Sequence, residues 1–328
     1  MPTRGKYFLI LLSYIVTCFA CFVVYGSIPC DINKDNTIDL KDLTLLSNYW
    51  LNDVEPICNF MAIADLHYGD FEIYTGLNNV RVPNAHDRFY SFAAETNKKD
   101  PDFVIQLGDI VDQSSVDYLE GVRDYVRDVN SLSDHLIYYV IGNHFNQNVN
   151  PGFNTINEEF FGLMLQTCPN NIENIWSFRG DYPWAYTFDI GDKFRGVNFY
   201  RPYALWGSDV MPVWWVNEVT DVNMPVIIFT HDRMSDEMLD VVSNIPNVVA
   251  TFKGHDHDGT YEVYNGLPIF GLRGSVMGED ENDYTSNAYY LVEVGWLKNG
   301  NSKRVYIKGK GFVRGEDFFF VSNKEFNE

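Results

Sequence analysis

The sequence predicts an α/β protein in which two sheets pack face to face with helices outside. Three observations carry that reading. Strand-like apolar runs alternate with amphipathic helical stretches from Phe60 to about Val242, the pattern of a layered α/β fold. From Val248 onward the chain is strand-rich. Five of the strand-like runs also end in a residue able to bind a metal ion, at the edge where an α/β sheet builds its site.

Each element can be justified in order. Asn52–Pro56 reads as a short linker, and Phe60-Met61-Ala62-Ile63-Ala64 as a strand running straight into Asp65-Leu66-His67. A helix over His86–Lys98 places Phe89, Phe92 and Ala93 on one face. Phe103-Val104-Ile105 is a buried strand leading into Leu107-Gly108-Asp109-Ile110-Val111-Asp112, where glycine leaves room beside the carboxylate. A helix follows from about Val116 to Val129. Leu136–Ile141 is a strand ending in Gly142-Asn143-His144. The polar and aromatic stretch Asn146–Pro183 predicts a long excursion with a helix near Glu158–Leu165. Tyr186–Tyr200 reads as a hairpin about Gly191-Asp192. Pro225–Thr230 is a strand ending in His231, followed by a helix near Asp236–Val242. Val248–Phe252 ends in Gly254-His255-Asp256-His257. Asn265-Gly266 between two apolar runs is a strong hairpin signal. Strands near Ala288–Val294, Arg304–Ile307 and Asp317–Val321 complete the order.

The chain has seven histidines, and five of them (His67, His144, His231, His255 and His257) fall at these strand ends. A core histidine satisfied by one hydrogen bond is the default for any single case. Five at matching positions are not what that default predicts. With Asp65, Asp109 and Asn143 they form a set of carboxylate, imidazole and amide ligands without thiolate. Such a set suits paired borderline ions such as iron, zinc or manganese, with Asp109 as the bridge. Two such ions can clamp a phosphoryl group and activate a water.

The order Asp-x-His, Gly-Asp-x-x-Asp, Gly-Asn-His, His, Gly-His-x-His resembles that of the calcineurin-like metallophosphoesterases over residues 59–321. The resemblance implies a four-layer αββα sandwich and an enzyme hydrolysing phosphate mono- or diesters through attack by a metal-bound hydroxide. It implies Asp65, His67, Asp109 and His257 on a first metal and Asp109, Asn143, His231 and His255 on a second. It also implies His144 as general acid or transition-state donor at the leaving group, oriented by Asp112. Phe145 stands where an acidic residue is usual in the family. Arg81, Arg88, Arg201, Arg273, Tyr68, Trp184, Tyr203 and Trp206 are the cations and aromatics available for substrate; surface or core packing is the default for each.

Before this domain lie two other segments. Residues 1–26 have Arg4 and Lys6 followed by uncharged Tyr7–Tyr25, which reads as an export signal cleaved after Gly26; an uncleaved membrane anchor is the alternative. Residues 27–58 contain Asp31, Asn33, Asp35, Thr37, Asp39 and Asp42 at loop positions 1, 3, 5, 7, 9 and 12 of an EF-hand, where hard oxygens encircle Ca2+. With Leu43, Leu45, Leu46, Trp50 and Leu51 behind it, this stretch resembles one half of a dockerin repeat. A cell-surface or cohesin-like partner would belong to that module, and a scaffold with an idle large domain is the competing reading of the whole chain. An oxidising compartment would allow a Cys30–Cys58 disulfide. The formal charge of −21 disfavours a grip on long nucleic acid, which needs clustered Lys and Arg. A small phosphate-ester substrate remains compatible, because bound metal ions dominate the local field.

Overall fold

The computed structural model describes residues 53–68, 72–74, 79–81, 85–111, 118–132, 134–140, 142, 186–199, 213–220, 222–275, 287–299, 302–313 and 316–327. The calcium-loop residues Asp31–Asp42, the leader, Asp112, Asn143, His144, Arg201, Trp184, Tyr203, Trp206 and the helix expected near Glu158–Leu165 lie outside them.

Strand β1 (Asp53–Ile63) is central to the first sheet. It pairs in parallel with β4 (Phe103–Leu107), which pairs in parallel with β5 (Ile137–Val140). On its other side it runs antiparallel to β12 (Ala288–Asn299), followed by β13 (Ser302–Val313) and β14 (Phe318–Asn327). The second sheet has the order β10-β11-β9-β8-β7-β6. It is built from β6 (Tyr186–Ile190), β7 (Phe194–Phe199), β8 (Val226–Thr230), β9 (Val248–Lys253), β10 (Asp258–Tyr264) and β11 (Leu267–Arg273). A small hairpin joins β2 (Glu72–Tyr74) to β3 (Asn79–Arg81).

Alternation along β1 sends Phe60, Ala62 and Ala64 between the sheets and Met61 and Ile63 to the outer face. That is why its sequence reads as a continuous apolar run. Between the sheets Phe60 stacks on Phe103 at 4.8 Å and meets Phe229 and Phe252 edge-on at 5.6 Å. Outside the first sheet lie α1 (Ala85–Lys99) and α2 (Tyr118–Val129), which bury Phe89, Phe92, Val122 and Tyr125 against it. Outside the second lie α3 (Val213–Thr220) and α4 (Asp236–Ser243), with Val219, Leu239 and Val242 packed inward. The result is the expected order helix, sheet, sheet, helix.

Two expectations need correction. The strand begins at Asp53, so the expected linker is largely strand; Asp53–Pro56 pair with Lys298–Gly295, and Pro56 is tolerated because the register shifts beside it. Cys58 is a buried thiol, and Cys30, its expected disulfide partner, lies outside the described residues. Cys58 points into the core between the sheets, and burial pushes its pKa well up. The three tail strands are 12, 12 and 10 residues long, longer than their apolar stretches. Charged side chains on the solvent face of β13, such as Lys308 and Lys310, interrupt the apolar run without ending the ladder. The β2–β3 hairpin and α3 were not anticipated; the β-branched and aromatic composition of Val213–Thr220 argues against helix.

Candidate metal centre

The carboxyl ends of β1, β4, β8 and β9 meet at one place. Backbone bonds lace the segments beyond them together: Asp65 N–H donates to Gly108 O at 3.1 Å, His67 N–H to Asp109 O at 2.8 Å, and Gly254 N–H to His231 O at 3.1 Å. A return from β11 adds Ser275, whose N–H donates to Ala64 O and whose hydroxyl donates to Asp65 O.

Two groups of potential ligands result. Asp65, His67 and His257 form one and Asp109, His231 and His255 the other, with the ligand atoms of each group within 4.8 Å of one another. Asp109 Oδ2 lies 3.0 Å from His231 Nε2 and 3.9 Å from His67 Nε2, so it reaches both groups. Asp65 Oδ1 lies 3.5 Å from His257 Nε2 and 3.9 Å from His231 Nδ1. Asp65, His67, Asp109 and His231 are buried; His255 and His257 are partly open, giving the site a solvent side.

The backbone is strained where the site is built. Asp65, His67, Asp109, His255 and His257 all have positive φ, between 46° and 72°, a region that non-glycine residues enter at a cost. Close approach also demands glycine. A Cβ at Gly142 would lie 2.0 Å from Asp109 Oδ1 and 2.2 Å from its backbone nitrogen.

Burial works against charge at His231, but the carboxylates of Asp109, Asp65 and Asp232 outweigh it and hold its pKa up to about 10. His257 is likewise raised by Asp65 against burial. Burial alone would raise the Asp65 carboxyl, yet His257 and His231 leave it below its usual value. His231 Nδ1 sits 2.7 Å from Leu107 O; donating there turns Nε2 toward Asp109, the orientation a ligand needs. Asp65 Oδ2 is buried with no hydrogen-bond partner among the described residues. An orphaned, buried carboxylate oxygen is a group that a cation would satisfy, and the donor set fits transition metals.

The structure therefore brings together six of the seven expected metal ligands. Asn143, His144 and Asp112 lie outside the described residues, although Gly142, next to Asn143, abuts Asp109. Sequence reasoning missed Asp232, buried and with Oδ1 3.4 Å from His255 Nε2; its place directly after His231 was the available signal. Ser275 carried none.

Facing sheets with carboxylates and imidazoles converging at their shared ends define a layered α/β protein with a candidate dimetal site. A family model for calcineurin-like phosphoesterases matches residues 58–259, and the chain belongs to that family. It is accordingly a metal-dependent phosphoester hydrolase. Among solved structures it is similar to a dimetal phosphatase from Danio rerio, with 17% identity, a TM-score of 0.57, and coverage of 82% of this chain and 100% of that one. A candidate 5′-nucleotidase from Staphylococcus aureus overlaps less well, with 12% identity, a TM-score of 0.45, and coverage of 82% and 54%. So does vacuolar protein sorting 29 from Cryptosporidium parvum, with 14% identity, a TM-score of 0.33, and coverage of 84% and 100%. Comparison with curated protein sequences returned no match.

Proposed function

We propose that this chain hydrolyses small phosphate mono- or diesters at a pair of iron, zinc or manganese ions held beyond β1, β4, β5, β8 and β9. Asp65, His67, Asp109 and His257 would hold one ion; Asp109, Asn143, His231 and His255 would hold the other. The observation that carries this reading is the Asp109 carboxylate, which lies within 4 Å of His231 Nε2 on one side and His67 Nε2 on the other. One shared anion between two cations lowers their mutual repulsion. When bound, the ions supply Lewis-acid clamping of the phosphoryl oxygens and an activated water.

The protein's own residues do the rest. The Leu107 carbonyl holds the His231 ring in the orientation that presents Nε2. His144 donates a proton at the leaving-group oxygen, and Asp112 orients its imidazole. Export through residues 1–26 and Ca2+ binding by Asp31, Asn33, Asp35, Thr37, Asp39 and Asp42 extend the proposal to the N-terminal segments, motivated by their residue pattern alone.

Two variants test it with a chromogenic phosphate monoester and diester. Asp109→Ala is expected to lose both bound metal and turnover. His144→Ala is expected to keep its metal while turnover falls by orders of magnitude. Unchanged turnover in both would overturn the assignment.

A further inference from the structure

His67 sits between two residues that are each gripped from the helical layer. On its N-terminal side, the carbonyl of Leu66 accepts a hydrogen bond of 2.7 Å from Arg88 Nη2. On its C-terminal side, the hydroxyl of Tyr68 donates to Asp128 Oδ2 at 3.0 Å. Arg88 comes from α1 and Asp128 from α2. Both are buried, as is Tyr68. Asp128 is itself held from outside: His86 Nδ1 lies 2.5 Å from Oδ2, and Arg127 Nε donates to Oδ1 at 3.1 Å. Charged groups are taken out of water beneath one short loop, and such groups are rarely buried without a specific partner.

We infer that Arg88 and Asp128 are positioning residues of the first metal site, clamping the chain on either side of His67 so that its imidazole is held toward Asp109. This inference rests on the dimetal reading of Asp65, His67, Asp109 and His257. His67 has φ +48°, a conformation that relaxes unless its surroundings hold it. The parallel bridge at Tyr68, whose N–H donates to Ile110 O at 2.7 Å, fixes the loop's height above the sheet. The two helix residues fix what that bridge leaves free, the rotation of the peptide planes that flank His67. Arg88 grips Leu66 and Asp128 grips Tyr68, so these contacts reach His67 through the loop.

Tyr68→Phe is the cleanest test, because the ring keeps its packing against Phe89 and Tyr125 and only the donor is lost. Arg88→Met and Asp128→Asn accompany it; the amide of the latter still offers an acceptor to Tyr68 and should rescue much of the effect. Metal-free protein is titrated with Zn2+ alone, and melting is followed in parallel. The expected result for Tyr68→Phe and Arg88→Met is one zinc bound as in the wild type and the other weakened about 10- to 100-fold, the range for supporting residues of metal ligands. Equal weakening of both zinc ions, in step with a lower melting temperature, would reduce the clamp to general stability and overturn the inference. So would two zinc ions bound as tightly as in the wild type. A wild type that takes up no zinc, iron or manganese sinks the dimetal reading and the clamp with it, an outcome distinct from failure of the clamp alone.

Discussion

Gly108→Ala should damage the metal centre more than its single methyl group implies. Gly108 precedes Asp109 with φ +93°, and a Cβ there would lie 2.3 Å from His231 Nδ1 and 2.7 Å from its Cγ. The ring cannot swing aside, because it is buried and Nδ1 is bound to Leu107 O. Left-handed backbone at a non-glycine residue costs roughly 1–2 kcal/mol, and overpacking a filled site roughly 1–3 kcal/mol. Together they amount to roughly 2–5 kcal/mol, below the about 5–15 kcal/mol that holds a typical domain together. The variant should therefore fold, with Tm lowered by at least about 4 °C at about 2–4 °C per kcal/mol. Gly191→Ala provides the comparison. Gly191 has φ +58° with nothing within 4 Å of the added Cβ, so it carries the backbone strain without the clash. Melting of metal-free and zinc-loaded protein, with zinc content measured alongside, separates the two effects. Gly191→Ala should keep the stabilisation given by zinc, and Gly108→Ala should lose most of it. If Gly108→Ala melts with the wild type and binds its full zinc, the claim that this glycine makes room for His231 is wrong.

Two further outcomes are expected. Because His231 is held up to about 10, it favours the protonated form near pH 7 in the metal-free protein, and His257 is shifted in the same direction by Asp65, whereas a ligating imidazole must be neutral. Metal loading near pH 7 should therefore release protons, and apparent affinity should climb as pH rises toward 10; an indicator dye in weak buffer that records no release would contradict the electrostatics described here. Phe60→Ala removes a fully buried ring stacked on Phe103 and edge-on to Phe229 and Phe252, and should destabilise the chain by about 3–5 kcal/mol, read from denaturant unfolding.

The local grammar of the site was legible because it is written in short segments. An apolar run followed by Asp65 and His67, by Asp109, by His231, or by His255 and His257 announces both a strand and what stands at its end. Helix α1 was legible for the same reason: Phe89, Phe92 and Ala93 recur at helical spacing. What failed were features whose cause lies elsewhere in the chain. Asp53–Pro56 looks like a linker until β12 is present to pair with it. Val213–Thr220 disfavours helix by composition until the second sheet is there for Val219 to pack on.

By itself the sequence determined which residue types stand at which strand ends, hence the α/β layering and the chemistry of the donor set. Only the tertiary structure decided that Asp109 reaches both groups of ligands, that Gly108 and Gly142 must lack side chains, and that Arg88 and Asp128 reach under the His67 loop from two different helices. Periodicity and propensity act over neighbours in the chain. These contacts join residues tens to more than a hundred positions apart, and they arise only when parallel strands from two sheets end at the same height.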